Sequence, residues 1–479
     1  MRLSALVSNV SGADPDITGI TADSRAVKPG FLFAALPGAK LDGAAFVADA
    51  IAKGASAILG GEAIRAHVGS AVSVIDLNPR QRLAQIAAKF YVRQPSTIVA
   101  VTGTNGKTSI ASFVREIWTV LGVKAASFGT VGVVSPSGMK SLGHTTPDPV
   151  EIHRLLAELV DEGVDHVAFE ASSHGLAQYR VDGVKLKAAA FTNLTRDHLD
   201  YHATFEAYEQ AKLRLFGDVL PPGGVAVINA DSPSAELFAR VARARAQHVI
   251  LVGESGGALR ITKRVPRGDG QTLSVTWEGR THELMLPLAG AFQASNAMIA
   301  AGLVLGLGAD ARAVFDALSK LRGAAGRLEK VGVTPGGVPV YVDYAHTPDA
   351  LETILKALRP HTEKKLWVVF GCGGDRDPGK RPLMGAAAKA LADCVFVTDD
   401  NPRTEDAASI RRAVLQGAVG AQEIGDRAKA IEAAILGASA GDVVVIAGKG
   451  HETGQIVGRE IRPFNDTEEA RGVIARMKG

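Results

Sequence analysis

The stretch Ile98-Val-Ala-Val-Thr-Gly-Thr-Asn-Gly-Lys-Thr-Ser109 decides the fold class. Residues 98–101 are a short apolar run with two valines and an isoleucine, which predicts a buried strand. The next residues hold Gly103 and then Gly106-Lys-Thr108, and residues 110–121 carry a helical pattern. A strand, a glycine loop and a helix in that order form a phosphate cradle. Backbone N–H groups of Gly103, Thr104, Asn105 and Gly106 turn inward, and the helix N-terminus adds its positive end. Lys107 then reaches the β- and γ-phosphates, and the hydroxyl of Thr108, followed by Ser109, is placed for Mg²⁺. The strict motif has glycine five residues before Gly106. Val101 stands there, and Gly103 supplies the earlier turn.

Outward from this loop, apolar runs at residues 164–169, 188–192 and 225–228 alternate with helical patterns, as in a mostly parallel sheet covered on both faces. Residues 93–97 read as a hinge. Before it, residues 31–36 and 57–59 predict strands, and 44–53 and 80–91 predict helices. After residue 326, strands are expected at 338–342, 366–370, 394–398 and 443–447. Thr347-Pro-Asp opens a helix there, with Thr347 as cap and Pro348 at the first turn. The chain is therefore read as α/β with three domains: residues 1–95, a central phosphate-loop domain at 96–325, and a Rossmann-like domain at 326–479.

Composition narrows the function class. The net charge of +3 over 479 residues is too weak for a nucleic-acid or anionic-membrane partner. Cys372 and Cys394 are the only cysteines, which fits a reducing cytoplasm. The uncharged stretch 288–309 contains Gln293, Ser295 and Asn296 and reads as a loop plus buried helix, not a membrane span. No signal peptide is expected at the N-terminus.

Two loops follow predicted strands, where open α/β sheets bind ligands. One is Glu170-Ala-Ser-Ser-His174; the other is Asn193-Leu-Thr-Arg-Asp-His-Leu-Asp-Tyr-His202. Glu170 and His198 are candidate ligands for a divalent ion. Phe205, Tyr208, Lys212, Leu215 and Phe216 share one helical stripe, so Lys212 points toward a core or cleft. It is either a snorkelling lysine or a desolvated amine able to take up CO₂ as a carbamate.

These motifs together resemble the Mur ligases, over nearly the whole chain. To the segments already quoted are added DYAHTPDAL from Asp343, GCGGDRD from Gly371, DDNPR from Asp399 and GKGHE from Gly448. The last two resemble the group that extends UDP-N-acetylmuramoyl-L-alanyl-D-glutamate in the bacterial cell wall. The resemblance implies a cytoplasmic, monomeric, ATP- and Mg²⁺-dependent ligase working through an acyl phosphate. By it, Thr108 and Glu170 serve one metal ion, and His198 with a carbamylated Lys212 serves a second. Asn296, Arg327 and Asp343 contact the nucleotide, with His346 close by. Ser24, Thr145, Thr146, Ser172, Gln178 and Arg180 take the UDP-linked precursor. Ala39-Lys-Leu41 departs from the His-Gln-Ala of some relatives in a loop that contacts uridine.

Arg376, Asp400, Asn401, Pro402, Arg403, Gly448 and Glu452 would hold the incoming amino acid. Two arginines suit the two carboxylates of meso-diaminopimelate, while Glu452, the Gly448 carbonyl and Asn401 suit its ammonium. L-lysine as the added amino acid, a folate-type ligase, and a non-catalytic nucleotide-binding module are the competing readings.

Overall fold

The computed structural model describes residues 1–8, 13–38, 42–69 and 71–478. Its chain divides into two compact units, one of residues 1–111 and 122–250, the other of residues 112–121 and 251–479.

In the first unit, strands Gly19–Thr21, Phe31–Ala35, Ala57–Gly60 and Val72–Ile75 form a parallel sheet in that order. The helix Pro79–Phe90 covers one face, its N-terminus capped by Asn78. A larger sheet follows. Its parallel strands lie in the order Val225–Asn229, Ala188–Phe191, Thr97–Thr102, His166–Glu170 and Ala125–Gly129. Thr97–Thr102 is central and almost wholly buried, which is why it reads as an unbroken apolar run. Antiparallel strands Gly132–Ser135 and Gly138–Lys140 extend one edge.

The expected strands and the helix after the glycine loop (Lys107–Val120) are present. Segment 44–53 is a 3₁₀ turn, Gly43–Phe46, running into the helix Val47–Ala52.

In the second unit, strands Leu259–Arg267, Gly270–Trp277 and Arg280–Leu286 make an antiparallel meander that strand–helix alternation did not anticipate. The stretch 288–309 is a turn at Gly290 and the buried helix Ala291–Gly306. A six-stranded sheet completes the unit. Pro339–Asp343, Val443–Ala447, Leu366–Phe370, Cys394–Val397 and Gln422–Glu423 are parallel, with Glu329–Val333 antiparallel at one edge. Helix Pro348–Leu358 begins as expected, with the Thr347 hydroxyl accepting from Ala350 N–H. Among the described residues no helix is long and apolar enough to cross a membrane.

Candidate active site

The phosphate loop is built between two parallel strands. Gly103 has φ +145° and Gly106 φ +90°. A Cβ on Gly103 would lie 1.8 Å from the Thr192 hydroxyl, so glycine is required there by packing as well as by backbone. Residues 192–195 stitch the loop in place. Thr104 N–H donates to the Asn193 carbonyl at 2.8 Å, Asn105 N–H to Asn193 Oδ1 at 3.0 Å, and the Thr192 hydroxyl to the Asn105 carbonyl at 2.6 Å. Lys107 Nζ lies 2.8 Å from the Gly103 carbonyl and 2.7 Å from that of Thr104. Thr108 and Ser109 are buried in the first turn of the helix.

Lys212 is 1% exposed, so the snorkelling reading is excluded. Its helix, Phe205–Arg214, is capped by Thr204 and leads into a π-helical turn, Leu215–Val219. Nζ donates to the Gly103 carbonyl at 2.8 Å and sits 4.4 Å from the centre of the Tyr208 ring. Burial, and then the Lys107 cation, hold its pKa well below the usual lysine value. The amine is thus drawn toward its neutral, nucleophilic form. Tyr208, which lay on the same stripe, hydrogen-bonds the Thr104 hydroxyl at 2.9 Å, and burial pushes its phenol up to about 12.

His198 adopts φ +52° and its side chain is about half exposed. Its ring lies 4.9 Å from His174 and 6.2 Å from Tyr208. Glu170 is buried, and its carboxylate accepts from Thr130 N–H at 2.7 Å and from the Thr130 hydroxyl at 3.2 Å. Thr130 went unread because it lies forty residues before its partner in sequence. Among the described residues no three His, Cys, Asp or Glu side chains converge as a cation cage.

The precursor candidates fall into two places in the first unit. Ser24 lines a cavity of about 870 Å³ together with Arg25, Phe46, Tyr91, Asp148 and Arg154. Thr145, Thr146, Ser172, Gln178 and Arg180 form a neighbouring loop cluster. The Thr146 hydroxyl is buried and committed, donating to the Glu170 carbonyl at 2.7 Å and accepting from Ser172 N–H at 3.0 Å. It braces the loop, whereas Thr145 reaches the Thr130 hydroxyl at 3.1 Å. The Ser172 hydroxyl caps the helix Ser173–Ala177. Arg180 is held by the Thr146 carbonyl and Gln178 Oε1, and Gln178 donates in turn to the Tyr201 hydroxyl. Ala39-Lys-Leu41 lies outside the described residues.

In the second unit, Arg327 and Asp343 share one elbow. Asp343 accepts from Leu328 N–H at 2.6 Å and Ala345 N–H at 2.7 Å. Burial pushes its carboxyl up to about 6, against the opposing pull of Arg327. The Arg327 guanidinium stacks 4.9 Å from the Tyr344 ring, and its buried Nε has no hydrogen-bond partner among the described residues. Asn296 is buried and donates to Gln293 Oε1 at 3.0 Å, while Gln293 donates to the Arg327 carbonyl at 2.8 Å. His346 Nδ1 lies 2.9 Å from the Tyr344 carbonyl.

The amino-acid candidates gather at the carboxyl edge of the six-stranded sheet, in loops after Leu366–Phe370, Cys394–Val397 and Val443–Ala447. Arg403 has φ +52°. Its N–H donates to the Ile456 carbonyl, its carbonyl accepts from Gly458 N–H, and its Nη1 donates to the Gly374 carbonyl at 2.8 Å. The loop is therefore pinned to the hairpin Gly454–Val457/Glu460–Pro463. Arg376 is exposed, and its guanidinium donates to the adjacent Asp375 carbonyl. Asp400 and Asn401 are buried. Gly448, at φ +121°, has room only for hydrogen, since a Cβ would meet Asp400 Oδ2 at 2.6 Å.

Three family models match the chain: "Mur ligase family, catalytic domain" at residues 16–91, "Mur ligase middle domain" at 101–304, and "Mur ligase, glutamate ligase domain" at 326–450. The chain belongs to the Mur ligase family. A protein of Caulobacter vibrioides named UDP-N-acetylmuramoyl-L-alanyl-D-glutamate–2,6-diaminopimelate ligase is 56% identical over 98% of this chain and 97% of its own length. One of the same name from Bradyrhizobium diazoefficiens is 52% identical over 99% of both chains. A solved structure of a ligase of that name is 35% identical, with a TM-score of 0.78 over 100% of this chain and 99% of its own. The fold is that of Mur ligases: three α/β domains with a central phosphate-loop sheet and a Rossmann-like C-terminal sheet.

Proposed function

We propose that this Mur ligase joins meso-2,6-diaminopimelate to UDP-N-acetylmuramoyl-L-alanyl-D-glutamate at the expense of ATP, in peptidoglycan precursor synthesis. The observation that carries the reading is the full-length identity with two ligases bearing that name. The arginine-bearing loops at one sheet edge are its structural support.

The D-glutamate side-chain carboxylate attacks the γ-phosphorus of ATP, and the bond to the β-phosphate oxygen breaks, releasing ADP. The amine of diaminopimelate attacks the acyl phosphate, loses a proton and expels inorganic phosphate. The phosphate-loop N–H groups and Lys107 bind and orient the triphosphate. Asn296, Arg327 and Asp343 are assigned to the nucleotide, and the Arg327 Nε, without a partner among the described residues, suits an anionic or carbonyl acceptor. Ser24 and the 870 Å³ cavity, with Thr145, Ser172, Gln178 and Arg180, take the UDP-linked precursor.

By the family likeness, Thr108 and Glu170 would offer oxygen to one Mg²⁺, and a carbamate on buried Lys212, with His198, would serve a second. When bound, the ions neutralise charge on the transferring phosphoryl group. We place the domain boundaries at 95/96 and 325/326 and the enzyme in the cytoplasm as a monomer. Cys372 and Cys394, both unpaired, agree with a reducing compartment.

The test is phosphate release with the UDP-dipeptide, ATP and a panel of amino acids. Diaminopimelate-dependent release is expected. Release with L-lysine alone would assign the other third residue, and ATP binding without release would leave a binding module.

A further inference from the structure

The loops 399–403 and 448–452 meet around one ammonium group. Lys449 is fully buried, immediately past the strand Val443–Ala447. Its Nζ donates to Asn401 Oδ1 at 2.9 Å and to Glu452 Oε2 at 3.3 Å, and lies 3.9 Å from Asp400 Oδ1. Asn401 Nδ2 donates to the same Glu452 oxygen at 3.0 Å, while Asn401 Oδ1 also accepts from Ile456 N–H at 2.9 Å. The amide is therefore fixed in one orientation: its oxygen has two donors, and its nitrogen faces a carboxylate.

A buried ammonium persists only where its partners offset desolvation. Every partner of Lys449 named above is one of the residues assigned to the incoming amino acid. Asn401, read from the sequence as a direct contact, has both amide atoms committed inside this network. Glu452 differs, since its side chain is 34% exposed where that of Lys449 is 0%. Its Oε2 is held inward by Lys449 and Asn401, and no described residue donates to Oε1.

We propose that Lys449 is a positioning residue for amino-acid selection. Its ammonium holds Glu452 in one rotamer, so that Oε1 faces outward as the acceptor for the substrate's ammonium group. This rests on the amino-acid ligase reading above. Arg376 and Arg403 would then meet carboxylates while Glu452 meets an ammonium, and Lys449 fixes the geometry of the last contact without touching the substrate.

The experiment measures KM for diaminopimelate, ATP and the UDP-dipeptide, with kcat, in wild type, Lys449→Met and Lys449→Gln. Glu452→Gln is introduced into each. Lys449→Met should raise KM for diaminopimelate by about tenfold or more, with the other two KM values within about twofold. Lys449→Gln, which keeps a donor to Asn401, should recover part of the loss. Glu452→Gln should be costly in wild type and nearly silent beside Lys449→Met, because the two residues act as a unit. An unchanged diaminopimelate KM, an equal rise in all three KM values, or equal costs of Glu452→Gln in both backgrounds overturns the proposal. Where Lys449→Met does not fold, Lys449→Gln carries the same comparison. A wild type that releases no phosphate with any amino acid overturns the parent reading and this role together. An active wild type with indifferent Lys449 variants overturns this role alone.

Discussion

Lys212 Nζ and the Gly103 carbonyl are 2.8 Å apart, so the amine of one helix is bonded to the glycine turn that opens the phosphate loop. The same carbonyl receives Lys107 Nζ at 2.8 Å. Burial of Lys212, and then repulsion from the Lys107 cation on the same oxygen, hold its pKa well below the usual lysine value. A neutral amine adds to CO₂, its nitrogen lone pair forming the N–C bond. Loss of one proton leaves a carbamate anion. Substituting Lys212→Ala should remove most turnover, and a short carboxylate or bicarbonate should restore part of it. Carbon-13 bicarbonate should give a carbamate resonance in wild type that is absent from the variant. Full activity in Lys212→Ala would dismiss the assignment.

Lys107 differs in kind from Lys212. Its ammonium is bonded to the Gly103 and Thr104 carbonyls of its own loop. Lys107→Ala should therefore leave the melting temperature nearly unchanged while lowering kcat by about 100-fold or more. Near-normal phosphate release by the folded variant would remove the loop from the mechanism.

His153 supplies a pH dependence. It is fully buried on the helix Pro149–Asp161, with Nε2 3.2 Å from the Asp182 carbonyl and Nδ1 without a partner among the described residues. Burial holds its pKa down to about 4 from the ordinary 6.5. Between those values the unfolded chain binds the proton and the folded one does not. Stability is thus fully present above pH 6.5 and is lost as pH falls toward 4, by up to about 3 kcal/mol. His153→Gln keeps a donor for Asp182 and cannot titrate in this range. Urea midpoints from pH 7 to 4.5 should fall less steeply in the variant than in wild type; parallel curves would refute the account.

What the sequence disclosed follows from periodicity and local geometry. The Lys212 stripe is visible because Tyr208, Leu215 and Phe216 share its helical face, and all three are buried. The helix Pro348–Leu358 announces itself through Thr347, Pro348 and Asp349. What stayed hidden depends on contacts between distant segments. Thr130 meets Glu170, Lys449 meets Asn401, and Thr146 is consumed by the Glu170 carbonyl. No spacing rule distinguishes a motif residue that touches a ligand from one that braces its neighbour. Thr146 and Asn401 both brace neighbouring segments through their hydrogen bonds, which the motif spacing does not reveal. The antiparallel meander Leu259–Leu286 was missed because strand–helix alternation says nothing about edge strands added by hairpins.

The choice between diaminopimelate and lysine is expected to turn on Arg403. The pinned backbone on both sides of Arg403 and its Nη1 bond to the Gly374 carbonyl fix the base of the guanidinium. The remaining N–H groups are left to grip a carboxylate in parallel. Lysine lacks the far carboxylate of diaminopimelate and would leave a desolvated arginine without its counter-ion, at about 2–5 kcal/mol. The specificity constant for diaminopimelate should therefore exceed that for lysine by orders of magnitude in wild type. Arg403→Ala removes the penalty on lysine along with the contact to diaminopimelate, so the ratio should collapse mainly through the loss on diaminopimelate. Arg403→Lys keeps the charge but not the paired hydrogen bonds, and should recover only part of the discrimination. A wild-type enzyme that uses both amino acids equally, or an Arg403→Ala variant with the ratio intact, would take the selectivity away from this residue.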